Sequence, residues 1–206
     1  MSNEKQARFQ EYFQINDSVN VALCAVDSSA VPKTEFELDA KIPPLFKLVN
    51  DVTLLEQSAL RPLRGLGDAA EDLANYLKLQ AKKVDLILAH ILVQESQQEE
   101  QQATYSYGGS GFKIISHEPF AVGQLYQCKL FLERDAAAVF CYAEVIDVET
   151  HESSLGAEDD DTTSATPEYI SSFLFSTIRE VDQELIIRSS LHAQSRYLKA
   201  KQAKNS

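Results

Sequence analysis

The chain has 206 residues, enough for one good domain with an elaboration or for two small domains. Hydrophobic residues make up 44% of it, which supports a core and excludes global disorder. The net charge of -12 repels nucleic acid and anionic lipid, so a polyanionic ligand needs a local cluster of arginine or lysine. The three cysteines, Cys24, Cys128 and Cys141, have no metal-ligand spacing, and we expect reduced thiols in a cytoplasmic protein. The polar start predicts no signal peptide, and no apolar run approaches the roughly 20 residues of a membrane span.

Strand periodicity opens the chain. Apolar residues from Phe13 to Leu23 alternate with polar ones, which predicts strand over residues 10–27. Residues 34–41 are expected to add a short strand or an extended lead. Over residues 42–63 the period becomes helical after two prolines, which predicts a helix that ends near the following proline and glycines.

The longest helical pattern runs from about Asp68 to about Gln102, and Glu71 completes a capping-box-like start. Its apolar residues recur at spacings of four and three, as in a heptad repeat, and the seam includes Leu73, Leu77, Val84, Ile87 and Ile91. Further leucines make the apolar face wider than a two-stranded seam needs. Either several helices associate, for which we expect a parallel and tetrameric homo-oligomer, or the helix also packs on its own domain.

Strand periodicity returns at the glycine-rich stretch Ala103–Ile115. It predicts successive strands from Gly111 to Thr150, and another over residues 168–177. The acidic, aperiodic residues 151–167 predict a loop, and the segment after the last strand predicts a terminal helix. Strands joined by short turns around a helical insertion indicate an antiparallel barrel.

The glycine-rich stretch does not match a catalytic motif. It lacks the Lys-Ser/Thr ending of a phosphate-binding loop, the strand-to-helix order of a dinucleotide fingerprint, and the closing glycine of a nucleophile elbow. The four histidines are dispersed without metal spacing, so we expect no enzyme, no metal and no cofactor. The glycines are instead expected to form a turn that needs positive φ or close backbone approach, and Gly111 is expected to mark a bulge.

Three segments, in order, resemble the PilZ domain, a small six-stranded barrel known as a bacterial receptor for cyclic di-GMP. They are Tyr12–Ile15 (YFQI), Thr104–Gly109 (TYSYGG) and the IREVD onset of the last helix. The resemblance implies an α+β fold, a six-stranded antiparallel barrel with a long inserted heptad helix and a C-terminal helix. Residues 1–40 and 103–206 would form the barrel and its helix, and residues 41–102 the insertion, which resembles that of the tetramer-forming PilZ branch.

The chain departs from the family pattern where the ligand binds. Family receptors grip the nucleotide with Arg-x-x-x-Arg, and the matching positions hold Gln10 and Gln14, while Ser106 and Gly109 of the second motif are kept. A glutamine lacks the charged planar fork that an arginine offers to phosphate and guanine. At about 1.5–3 kcal/mol for each lost bond to a charged group, binding weakens by about two to four decades.

Three functional hypotheses follow. The first is a non-catalytic regulator of cyclic di-GMP signalling with a degenerate nucleotide site, which self-assembles and binds a protein partner. The second is a genuine cyclic di-GMP receptor that uses Arg8, Arg61 or Arg64 together with Ser106 and Gly109. The third is an enzyme of unknown class, which clustered carboxylates with shifted pKa values would favour.

Overall fold

The computed structural model describes residues 2–50, 68–96, 100–151 and 167–204. The helices are α1 (Ser2–Phe9), α2 (Glu35–Lys41), α3 (Asp68–Ser96) and α4 (Glu180–Lys204), and residues 44–50 are also helical. The strands are β1 (Gln14–Ile15), β2 (Asn20–Val26), β3 (Gln101–Gly108), β4 (Gly111–Ser116), β5 (Leu125–Leu132), β6 (Ala137–His151) and β7 (Glu168–Thr177).

Six antiparallel strands close into a barrel. The order is β3-β2-β5-β6-β7-β4, and β4 pairs back onto β3. The short strand β1 shares one edge of β3 with β2, because Gln14 pairs with Gly108 at one end and Asn20 pairs with Ala103 at the other. The predicted fold class is therefore confirmed: an antiparallel six-stranded barrel with an inserted helix, α3, and a C-terminal helix, α4.

The apolar core has an inner and an outer part. Inside the barrel, aromatic rings pack closely, and those of Phe112 and Phe173 stack with centroids 4.8 Å apart. On the outer surface, the helical segments bury Leu38, Phe46 and Leu92 against β2, β5 and β6. Each fully buried side chain of this size contributes about 1.5–3 kcal/mol. In the described parts of the chain, no helix has the length and apolar character needed to cross a membrane.

The first predicted strand is interrupted. Residues 16–19 separate β1 from β2, and the side chain of Thr104 forms hydrogen bonds to this connection. Its Oγ1 accepts a hydrogen bond from the Val19 amide at 3.0 Å and donates to the Asp17 carbonyl at 3.3 Å. Thr104, which stands where the PilZ motif has Asp or Asn, is buried and has a structural role here.

The predicted strand or extended lead at residues 34–41 was wrong, because these residues form α2. Thr34 caps the helix by accepting a hydrogen bond from the Glu37 amide at 3.2 Å. Leu38 and Ile42, four residues apart, are buried, whereas Phe36 is 85% exposed. The alternation of Phe36 and Leu38 therefore does not indicate a strand, because Leu38 is buried and Phe36 is exposed.

The predicted long helix is confirmed as α3, but it ends at Ser96 and not at about Gln102. Gln101 and Gln102 open β3 and pair with Ala22 and Val21 of β2. The backbone pairing of these residues with β2 outweighs the helical preference of glutamine. The helix predicted over residues 42–63 is present at 44–50, and the rest of it lies outside the described residues, as does nearly all of the predicted loop at 151–167.

A buried ion pair joins the insertion to the barrel. Arg179, just before α4, donates to both oxygens of Asp182 at 2.8 and 2.9 Å and to Asp39 of α2 at 3.0 Å. Asn50 donates to Asp182 and to the Ala138 carbonyl of β6, each at 2.9 Å. The arginine and aspartate of the IREVD segment thus connect α4, α2, residues 44–50 and β6.

The two partners of this ion pair respond differently to burial. Burial raises the pKa of Asp182, although hydrogen bonds from Arg179 and Asn50 lower it. Burial lowers the pKa of Arg179, but its bonds to Asp182 and Asp39 outweigh burial and leave that pKa raised. The raised pKa of Asp182 disfavours its charged form, whereas the raised pKa of Arg179 favours the charged guanidinium group. The short two-point hydrogen bonding between them supports the ionised pair.

We expect Arg179→Met to lower the free energy of unfolding by about 3–5 kcal/mol, because it leaves the Asp182 carboxylate buried without its cation. Urea denaturation followed by far-ultraviolet circular dichroism measures this loss. Adding Asp182→Asn should recover part of it, since an amide needs no cation. A single variant as stable as the original chain, or a double variant no better than the single one, would contradict this assignment.

Candidate functional site

The N-terminal segment lies against the glycine hairpin between β3 and β4. The Tyr12 amide donates to Ser110 Oγ at 3.3 Å, and Gln14 Nε2 donates to the Gly111 carbonyl at 3.4 Å. The structure therefore brings the YFQI segment together with the glycines, as the PilZ resemblance implies.

Close backbone approach explains the glycines of the hairpin. A Cβ atom at Gly108 would collide with the Phe13 carbonyl oxygen, and one at Gly111 would collide with the Phe173 carbonyl oxygen. At Gly109, a Cβ atom would lie 2.8 Å from side-chain atoms of both Tyr12 and Ile187. Backbone atoms therefore close Gly108 and Gly111 to a side chain, whereas a side chain at Gly109 would require Tyr12 and Ile187 to shift.

Two details of the glycine prediction were wrong. Gly108 belongs to β3, so the turn consists of Gly109 and Ser110. The register shift between β3 and β4 lies between Thr104 and Ser106, and not at Gly111. Among the described glycines, positive φ occurs at Gly123, at 88°.

Protein groups already occupy the polar atoms of the hairpin. The Gly109 carbonyl accepts a hydrogen bond from Gln183 Nε2 of α4 at 2.8 Å. Ser106 is buried in β3, where it pairs with Lys113. Gln14 Oε1 is buried and has no hydrogen-bond partner. The sequence did not indicate Gln183 or Ser110, since their roles depend on how α4 docks on the turn.

A cavity of about 340 Å³ lies beside the hairpin. Arg8 and Lys33 line it together with Glu11 and Glu35, and it reaches Ser110. The two cations and the two carboxylates balance, so the cavity has no excess positive charge for a ligand with two phosphates. Gln10 is exposed next to it. Arg61 and Arg64, the other predicted phosphate ligands, lie outside the described residues.

Two of the described carboxylates with shifted pKa values, Asp39 and Asp182, hold structural positions, and a third, Asp85 of α3, has its pKa raised by burial and does not line the cavity. Hydrogen bonding to Lys47 is the main cause that lowers the pKa of Asp39. Asp39 and Asp182 belong to the ion-pair network and do not line the cavity. No group of three or more His, Cys, Asp or Glu residues in the described ranges has a metal-binding arrangement. Cys128 and Cys141 pair across β5 and β6, and burial raises the pKa of the Cys141 thiol well above its usual value.

The heptad seam of α3 faces solvent. The exposed fraction is between 37% and 61% for Leu73, Leu77, Val84, Ile87 and Ile91. On another face, Leu88 and Leu92 are buried against the outer surface of the barrel. The helix therefore packs on its own domain near its C-terminal end and leaves the predicted seam uncovered.

No family model matches the chain, and no curated protein matches it. Among solved structures, it is similar to the Bacillus subtilis inhibitor of motility (MotI/DgrA), with a TM-score of 0.45, 9% identity, and 91% of this chain and 52% of that chain covered. The chain thus spans about half the length of that protein. It is also similar to a pathogenic protein from Xanthomonas campestris, described as a tetrameric PilZ domain self-assembled through a helical bundle, with a TM-score of 0.44, 12% identity, and 92% and 90% covered.

We expect Gly111→Ala to lower the free energy of unfolding by about 1–3 kcal/mol, because the new methyl group meets the Phe173 carbonyl. Gly109→Ala is the control: its methyl group would meet side-chain atoms of Tyr12 and Ile187, which can shift, so the loss should be smaller. Urea denaturation measures both. If the two variants lose equal stability, close approach does not explain the hairpin glycine.

Proposed function

We propose that this chain is a non-catalytic, PilZ-type regulatory protein of bacterial cyclic di-GMP signalling, which acts by self-assembly and by binding a protein partner. The observation that carries the proposal is that protein groups already bind the polar atoms of the glycine hairpin. Tyr12 and Gln14 of the N-terminal segment bind the hairpin, and so does Gln183 of α4. The face that the resemblance assigns to a nucleotide serves here to hold the fold together.

The charge of this face supports a degenerate nucleotide site. Where the resemblance places two arginines, the chain has two neutral amides, and the amide of Gln14 is already bonded to the Gly111 carbonyl. The adjoining cavity has as many carboxylates as cations. A ligand with two phosphates would gain little Coulomb energy at such a site, on a chain with a net charge of -12.

The exposed seam of α3 supports the proposed self-assembly. The helix has 29 residues and would extend over about 44 Å at 1.5 Å per residue. Most helical stability in proteins comes from burying an apolar face. Among the described side chains of α3, Leu88 and Leu92 bury apolar surface near one end, while the seam remains exposed. Burial of the seam in a bundle of α3 helices from other copies would provide the missing contact.

One observation favours a second candidate, a genuine cyclic di-GMP receptor. Arg8 lines the cavity that reaches Ser110, so one guanidinium group is close to the hairpin. In this alternative, Arg8 binds a phosphate in place of the absent arginines, with Arg61 or Arg64 as further ligands. Affinity would then depend on Arg8 and fall with added salt.

Isothermal titration calorimetry with cyclic di-GMP tests the degenerate site. We expect no binding by the original chain at micromolar ligand, and we expect Gln10→Arg/Gln14→Arg to tighten binding by about two to four decades. Micromolar binding by the original chain would contradict the proposal. Loss of such binding in Arg8→Ala would then support the second candidate.

Light scattering after size exclusion tests the assembly. At low micromolar concentration the chain should have a mass above that of a dimer, and Ile87→Glu/Ile91→Glu should dissociate it, because charges on the seam cannot be buried unpaired. Lys78→Glu/Lys82→Glu is the control, since it changes exposed residues off the seam of the same helix. A seam variant of unchanged mass would contradict the proposal.

A further inference from the structure

The C-terminal half of α4 differs sharply in charge from the rest of the chain. Residues 188–204 contain five of the 19 lysines and arginines and none of the 31 acidic residues. All residues from 195 to 203 are exposed, so this part of the helix extends beyond the barrel. Tyr197 and Leu198 in this segment are each more than half exposed. A helix dipole accounts for cations in the last turn only.

A groove of about 260 Å³ lies where this helix passes the connection between β1 and β2. Ile15, Ala193 and Ala200 contribute apolar lining, and Tyr197 lies at its side. Two arginines from different elements also line it: Arg196 from α4 and Arg134 from the turn between β5 and β6. The groove thus combines an apolar floor with a pair of guanidinium groups.

The two arginines converge on one carboxylate without using up their donors. Asp17 Oδ2 lies 3.8 Å from a nitrogen of Arg134 and 3.5 Å from a nitrogen of Arg196. The first distance is too long for a hydrogen bond and the second lies at the limit, so donors of both groups are available to a further carboxylate. Both arginine side chains are substantially exposed.

A hydrogen-bond network holds together the two backbone segments that carry the arginines. Ser189 Oγ of α4 donates to Asp135 at 2.6 Å and lies 3.2 Å from the hydroxyl of Tyr107. His192, one turn later, lies 2.9 Å from the other oxygen of Asp135. These contacts hold the backbone of the β5–β6 turn against α4, so the backbone of the groove needs little ordering when a ligand binds.

We propose that this groove binds an acidic segment of a partner protein, with one large apolar side chain on the floor and carboxylates at Arg134 and Arg196. The inference deepens the proposed function, on which it rests, by naming the surface and chemistry of the protein contact. The volume lies below the roughly 300–1,000 Å³ of small-molecule pockets, so it suits a single side chain. The two arginines complement the charge of a short acidic segment, while the net charge of -12 opposes the approach of an extended anionic surface such as a membrane.

Fluorescence anisotropy on the full chain tests this inference. The probe is a fluorescein-labelled peptide in which one phenylalanine is flanked on both sides by glutamates. We expect Arg134→Ala/Arg196→Ala to weaken its binding by about 5- to 30-fold, and added salt to weaken binding to the original chain. Ala200→Glu should also weaken it, because it places a carboxylate on the floor of the groove.

Lys78→Ala/Lys82→Ala is the matched control, since it removes two exposed cations from α3 and should leave peptide affinity unchanged. Peptides with Phe→Ser or with Glu→Gln should bind more weakly than the probe. Absence of probe binding, equal weakening in the control, or equal affinity for the Phe→Ser peptide would overturn the inference. So would stronger binding to phosphatidylserine vesicles that depends on the same two arginines.

Light scattering of the same variants separates this inference from the proposed assembly. Arg134→Ala/Arg196→Ala should retain the mass of the original chain. The turn that carries Arg134 packs against α3, but the two arginines line the groove and are not part of the α3 seam. A lower mass would make the groove a contact between copies and overturn the inference. If the mass is that of an assembly but the probe does not bind, the inference fails and self-assembly stands.

Discussion

The close backbone approach at the β3–β4 hairpin is the constraint on which the barrel depends. Without Cβ atoms at Gly108 and Gly111, the carbonyls of Phe13 and Phe173 can lie against the hairpin from opposite edges. One approach joins β1 to β3, and the other joins β4 to β7 and closes the ring of six strands. Thr104 completes the arrangement by bonding both sides of the break between β1 and β2.

This constraint bears directly on function. Polar atoms of the hairpin bind Tyr12, Gln14 and Gln183, and we propose that these internal bonds, with two glutamines in place of the arginines of the family, leave no nucleotide site. The interactions proposed above use two other surfaces. One is the exposed seam of α3, and the other is the basic groove formed by Arg134 and Arg196.

The buried network around Asp182 relates these surfaces to the barrel. Arg179 and Asn50 connect α4 with α2, residues 44–50 and β6, so the start of α4 and the helical insertion are held by one group of hydrogen bonds. A buried ion pair of this kind is costly to break by removing one partner, which makes the attachment specific. Residues 195–203 of α4 are exposed, so this part of the helix is available for contacts with other molecules.

Periodicity alone determined the strands β4 to β7, the long helix α3 and the terminal helix, because each has a sustained run of one period. It also determined the exposed seam, since a heptad pattern specifies which residues share a face. Tertiary structure decided the rest. Residues 34–41 form α2 because Thr34 caps a helix whose Leu38 has a place in the outer core. Glutamines 101 and 102 form strand because β2 offers them partners. The glycine contacts, the Asp182 network and the Arg134–Arg196 groove unite residues distant in sequence, and local pattern contains no information about which distant groups meet.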